Sequence, residues 1–168
     1  MEFFNKKHEL ADLRRLINGW KLKNDVIVFT NGCFDILHPG HVAYLSEAKK
    51  LGHRLVVGLN TDASVRRLQK APSRPYNDEN IRMSMMAALH CVDAVILFDE
   101  DTPLELIKTL EPNILVKGGD YHVDEIDPTA KDYIVGSAEV RANGGSVVSV
   151  PLLEGFSTTM LVEKIKNS

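Results

Sequence analysis

The chain reads as an α/β domain, a mainly parallel sheet of about five strands with helices on both faces. Three observations predict this. Short, nearly continuous apolar runs recur at residues 26–30, 55–60, 94–97, 114–117 and 147–150, as expected of strands buried on both faces. Segments between them carry helical spacing or helix start and stop signals, and strands that alternate with helices imply parallel pairing. The 168 residues, 44% hydrophobic, suffice for the core of one domain.

Taken in order, Leu10, Leu13, Ile17 and Trp20 sit at helical intervals, so residues 8–20 form an amphipathic helix. Its apolar side can cover the sheet or serve a dimer. Val26 to Thr30 is the first strand, and a helix opens at Pro39, a favoured first helical position, and stops at Gly52. The second strand covers 55–60, then a helix 80–90, the third strand 94–97, a helix 103–110 and the fourth strand 114–117. A further helix ends near Asn143, Gly144 and Gly145 before the fifth strand, 147–150. Ser157 or Thr158 caps the last helix. Residues 67–80 and 118–128 are irregular and read as loops near a ligand. The expected organisation is an N-terminal helix over 1–24, packed on or beside a domain of residues 25–168.

Acids and bases are interspersed and the formal charge is −3, which points to neither nucleic acid nor a membrane surface. Cys33 and Cys91 make no disulfide framework and no metal-type pair. With no apolar stretch of leader or spanning length, the expectation is a cytoplasmic protein.

The unusual residues gather where the strands end, which is where ligands bind in open parallel sheets. Asn31 and Gly32 lead into His38, Pro39, Gly40 and His41; strand two ends at Asn60, Thr61 and Asp62. Strand four ends at Lys117, Gly118, Gly119 and Asp120, and strand five leads to Ser157, Thr158 and Thr159. Histidines three apart on an incoming helical turn share a side. The turn's free N–H groups and positive dipole end favour an anion, and Gly40 lets it approach the backbone. Such imidazoles can stabilise charge that develops on a phosphate. The rival reading is two satisfied polar histidines; zinc lacks a third ligand. Lys117 suits a phosphate oxygen, or is a surface lysine before a turn. The hydroxyls at 157–159 suit a second anion site, one of them serving as an N-cap. Asp35 reads as a loop-bracing carboxylate and Cys33 as a small packing residue. Arg74 and Arg82 are either substrate contacts or surface arginines.

The run from Val28 to His41 resembles the signature of the cytidylyltransferase-like nucleotidyltransferases, whose hallmark is a His-x-Gly-His turn after the first strand. The segments 60–65, 73–75, 101–103, 115–121, 142–145 and 157–159 are most similar to the heptose 1-phosphate adenylyltransferases of lipopolysaccharide core biosynthesis. The resemblance implies a Rossmann-like fold and AMP transfer from ATP, with Mg²⁺, to a sugar 1-phosphate, with release of pyrophosphate. It implies a stand-alone transferase, since no kinase precedes it here. His38, His41 and Lys117 would be catalytic. Thr30, Asn31, Gly32, Phe34, Gly40, Asn60, Asp62, Gly118, Ser157, Thr158 and Thr159 would bind the nucleotide. Cys33, Asp35, Arg74, Arg82 and Asp120 would surround the acceptor. His90 stands where cytidylyltransferases of the group carry an arginine, which favours ATP over CTP. A homodimer is expected. The alternatives are a cytidylyltransferase that acts on glycerol 3-phosphate or another phosphorylated acceptor, and a non-catalytic nucleotide-binding module.

Overall fold

The computed structural model describes residues 5–69, 71, 73–119 and 121–167. Five strands form one sheet in the order β3-β2-β1-β4-β5, every neighbouring pair parallel. They are β1 (Ile27–Gly32), β2 (Arg54–Asn60), β3 (Ala94–Phe98), β4 (Ile114–Gly118) and β5 (Ser146–Val150). The helices are α1 (Leu10–Lys21), α2 (Pro39–Lys50), α3 (Asp62–Arg67), α4 (Glu79–Ala88), α5 (Leu104–Leu110), α6 (Ser137–Ala142) and α7 (Thr158–Lys166).

Successive strand side chains point to opposite faces, so each strand feeds two cores. Ile27 and Phe29 of β1, Val56, Ile96 and Leu115 pack with Leu13, Ile17 and Trp20 of α1 and with α5 and α6. Val28, Leu55, Val57, Val95 and Val116 face the other way, onto Tyr44, Leu45 and Ala48 of α2 and Met83 and Met86 of α4. This double burial explains why the strands read as unbroken apolar runs. Burying one such side chain contributes about 1.5–3 kcal/mol. The apolar side of α1 therefore covers the sheet.

Two differences from the sequence-based expectation bear on the site. The first strand runs two residues further, to Gly32, and carries Asn31 into the ladder with β2. The short α3 was not foreseen; its start is fixed by Thr61, whose Oγ1 accepts from Ser64 N at 3.1 Å.

β1 stays paired with β2 as far as Gly32 and Leu59, but with β4 only at Val28–Ile114 and Phe29–Leu115. Beyond Phe29, β1 and β4 part. The strand order reverses at that point, so a crevice opens past the carboxyl ends of the strands.

Candidate active site

The crevice has a volume of about 410 Å³. Asn31, Gly32, Phe34 and His41 form its floor, with Lys117, Gly118, Tyr121 and Leu152 on the β4–β5 side and Asn60, Leu68, Asp101 and Pro103 on the β2–β3 side. A cleft of the same size, lined by Lys21, Asp25, Glu111 and Asn113, lies at the opposite end of the sheet, away from both histidines.

Past Gly32 the chain turns sharply, and Phe34 adopts a left-handed backbone with φ 44°. A non-glycine residue there costs free energy and persists only where its surroundings impose it. Arg82 Nη1 supplies part of that constraint by donating to the Cys33 carbonyl at 2.8 Å. The Phe34 ring then meets the edge of His41, centroids 5.1 Å apart. His38 caps α2 in extended backbone without a side-chain cap bond, Pro39 follows in the first turn, and His41 returns one turn later. The two imidazoles stack at 3.7 Å. A Cβ on Gly40 would sit 3.0 Å from His38 Nδ1 and 3.2 Å from Phe156 Cβ, so any larger residue crowds this stack.

Burial, and secondarily its proximity to His38, pushes the His41 imidazole down to about 4, against a smaller opposing effect of the Ile36 backbone. Burial also lowers His38. Both rings are therefore neutral near pH 7, and a bound phosphate would act against the shift. Lys117 Nζ donates to Asn31 Oδ1 across the parted strands. Beneath, the Tyr44 hydroxyl pairs with Thr30 Oγ1 at 2.6 Å and donates to the Val116 carbonyl at 3.1 Å. Burial raises the Tyr44 phenol far above its usual range, which keeps it protonated.

Ser157 caps α7, its Oγ accepting from Met160 N at 3.1 Å. Phe156, next to it, lies against Gly40, so the amino ends of α2 and α7 converge on the histidine turn. Each brings N–H groups suited to anions.

Several assignments need correction. Thr30 is fully buried, its hydroxyl committed to Tyr44, and so braces the crevice from below. Arg82 is 0% exposed and donates to Asn77 O, Cys33 O and Asp62 Oδ1, which leaves its guanidinium inside the protein rather than at a substrate. Asp62 is tied up in that ion pair at 2.8 Å. Asp35 Oδ1 accepts from Tyr76 N and Asn77 N, so its buried carboxylate braces a loop, as its own context suggested, rather than surrounding the acceptor as the resemblance implied. Arg74 and Thr159 line a neighbouring cleft of about 360 Å³ between the 71–76 loop and α7. His90 is exposed just before β3, at the amino end of the sheet and away from the crevice, so within one chain it does not select the nucleotide. Asp120 lies outside the described residues. Sequence reasoning missed Tyr44, Tyr121, Leu152 and Asp101 as crevice residues. Of these, Asp101 carried a signal, since it follows an apolar strand run. Among the described residues, no group of three His, Cys, Asp or Glu side chains could hold a metal ion, and no helix is long and apolar enough to cross a membrane.

A cytidylyltransferase-like family model matches residues 29–164. The bifunctional protein HldE of Azorhizobium caulinodans is 52% identical over 155 residues, which is 92% of this chain and 30% of that protein. HldE of Actinobacillus pleuropneumoniae is 52% identical over 157 residues, 94% of this chain and 31% of that protein. The chain thus spans about a third of the length of these curated relatives. Among solved structures, the lipopolysaccharide core biosynthesis protein of Thermoplasma volcanium is 32% identical with a TM-score of 0.57, covering 77% of this chain and 97% of that one. Pantoate-beta-alanine ligase of Francisella tularensis, 14% identical with a TM-score of 0.59, covers 96% of this chain and 78% of that one and shares the fold.

Proposed function

The chain belongs to the cytidylyltransferase-like family, and on that footing we propose that it transfers AMP from ATP to a sugar 1-phosphate, a heptose 1-phosphate first among them. The products are an ADP-sugar for surface glycan synthesis and pyrophosphate. The observation that carries this reading is His41, stacked on His38 at the start of α2, which lines a crevice at the sheet's switch point together with Lys117. The likeness to a lipopolysaccharide core biosynthesis protein supports an acceptor on the route to surface glycan, and the resemblance of segments 60–65, 115–121 and 157–159 to the heptose 1-phosphate adenylyltransferases supports heptose and ATP.

In this mechanism an oxygen of the sugar phosphate attacks the α-phosphorus of ATP in line. The new O–P bond forms as the bond from the α-phosphorus to the bridging oxygen breaks, and that oxygen leaves with pyrophosphate. The nucleophile is already an anion, so no general base is needed. Catalysis comes from holding two anions together and from donors aimed at the charge that develops. His41 and His38 take the phosphate oxygens beside the α2 amino end, and Lys117 adds a positive charge. Removal of one such donor typically costs about 10²–10³ in rate. The crevice offers imidazole, ammonium and amide groups rather than an oxygen cage, so Mg²⁺ enters as MgATP, liganded largely by the triphosphate. The same reading takes the enzyme as cytoplasmic, with its ATP supply, and as a homodimer, which sedimentation velocity checks.

Pyrophosphate release measured across ATP, CTP and GTP, each with heptose 1-phosphate, mannose 1-phosphate and glycerol 3-phosphate, tests the assignment. Turnover should be highest with ATP and heptose 1-phosphate. Preference for CTP with glycerol 3-phosphate would replace the adenylyltransferase reading, and no turnover with any pair would leave a nucleotide-binding module.

A further inference from the structure

Among the described residues, His41, Lys117 and the backbone at Gly32 and Gly118 on the floor and β4 side of the crevice suit phosphate, but the β2–β3 wall carries a carboxylate. Asp101 follows β3 in the loop that leads to α5, and it lines the same cavity as His41 and Lys117. Its side chain is 78% exposed, and Oδ1 accepts from Arg67 Nε at 2.7 Å. Arg67, at the end of α3, also donates to the Asp99 carbonyl, so exposed contacts tie the loop to α3 and bias the direction in which the carboxylate points. A carboxylate repels a phosphate, yet it is the strongest uncharged-hydroxyl acceptor among side chains. In-line transfer at the histidines sets the attacking phosphate oxygen of the acceptor opposite the departing pyrophosphate, so the acceptor needs a wall of its own beside the phosphates. The cationic and aromatic β4–β5 side, with Lys117 and Tyr121, suits the nucleotide; the β2–β3 side, with Asp101, Asn60, Leu68 and Pro103, is left to the acceptor.

We propose that Asp101, oriented by Arg67, accepts hydrogen bonds from hydroxyl groups of the acceptor sugar and sets the acceptor specificity of the crevice. This rests on the adenylyl-transfer reading. Asp101 is a specificity residue in it, and Arg67 a positioning residue that acts through Asp101.

The test is steady-state kinetics on wild type, Asp101→Ala, Asp101→Asn and Arg67→Met, with ATP, heptose 1-phosphate and its monodeoxy analogues. Wild-type turnover is established first, and its absence would overturn the transfer reading and this inference with it. Given turnover, Asp101→Ala should raise KM for heptose 1-phosphate about 10- to 100-fold, the range of a hydrogen bond to a charged group. KM for ATP and the Mg²⁺ titration midpoint should stay within about twofold, since neither ligand meets the carboxylate. Asp101→Asn and Arg67→Met should fall between wild type and Ala. One deoxy analogue should be turned over equally by wild type and Asp101→Ala, an equality that a merely structural role cannot produce. An unchanged sugar KM would overturn the inference while leaving the transfer reading intact. So would an effect on KM for ATP, which would assign Asp101 to the ribose, or on the Mg²⁺ midpoint, which would assign it to the metal.

Discussion

The imidazoles of His38 and His41 lie face to face, 3.7 Å between centroids and 21° from parallel, at the amino end of α2. Two stacked rings cannot both carry charge at low cost unless an anion lies beside them. The geometry therefore links proton and phosphate at one place.

Substitution His41→Ala should lower kcat by about 10²–10³, with the fold retained, since the ring is only half-buried and removes a donor to developing charge. Pyrophosphate release together with circular dichroism checks both halves.

The free protein should show the proton linkage as a loss of stability in acid. Burial pushes the folded His41 imidazole down to about 4 from its ordinary 6.5, so the unfolded chain binds more protons between these values. Stability from this group is fully present above about pH 6.5 and falls as pH drops towards about 4. Affinity for ATP should move the opposite way and rise on acidification, because the triphosphate favours the charged ring. Urea unfolding from pH 7.5 to 4.5 should fall less steeply for His41→Gln than for wild type. Calorimetry at pH 6.5 in two buffers of different ionisation enthalpy should report proton uptake with ATP.

Gly40→Ala places a methyl group 3.0 Å from His38 Nδ1 and 3.2 Å from Phe156. The expected result is a rise of at least about 10-fold in KM for ATP, with a stability change within about 1 kcal/mol. Kinetics alongside thermal unfolding separates the two effects.

Arg82→Met removes a fully buried cation from three acceptors and leaves the Asp62 carboxylate, Asn77 O and Cys33 O without it. A cost of about 3–5 kcal/mol is expected from the broken buried pair. Arg82→Lys should rescue little, because one ammonium cannot span a fork of three separated acceptors. Denaturant midpoints give the comparison.

The sheet was legible because double burial writes itself into the sequence as apolar runs, and Pro39 and Ser157 announce their helices in single residues. The short helix α3 escaped because six residues carry too little periodicity, although Thr61 marked its start. Buried polar partnerships were illegible for a different reason. Arg82 meets Cys33 across 49 positions and Lys117 meets Asn31 across 86, distances at which local pattern says nothing. Hence Arg82 read as a substrate contact or a surface arginine and proved a brace, whereas the local histidine motif brings His41 to the crevice lining.

The central claim is direct AMP transfer in this crevice, and a single-turnover reaction with α-labelled ATP and heptose 1-phosphate tests it most directly. All label should pass into ADP-heptose, with equimolar pyrophosphate and none retained on the protein. Label held on the protein, or released as AMP, would contradict it.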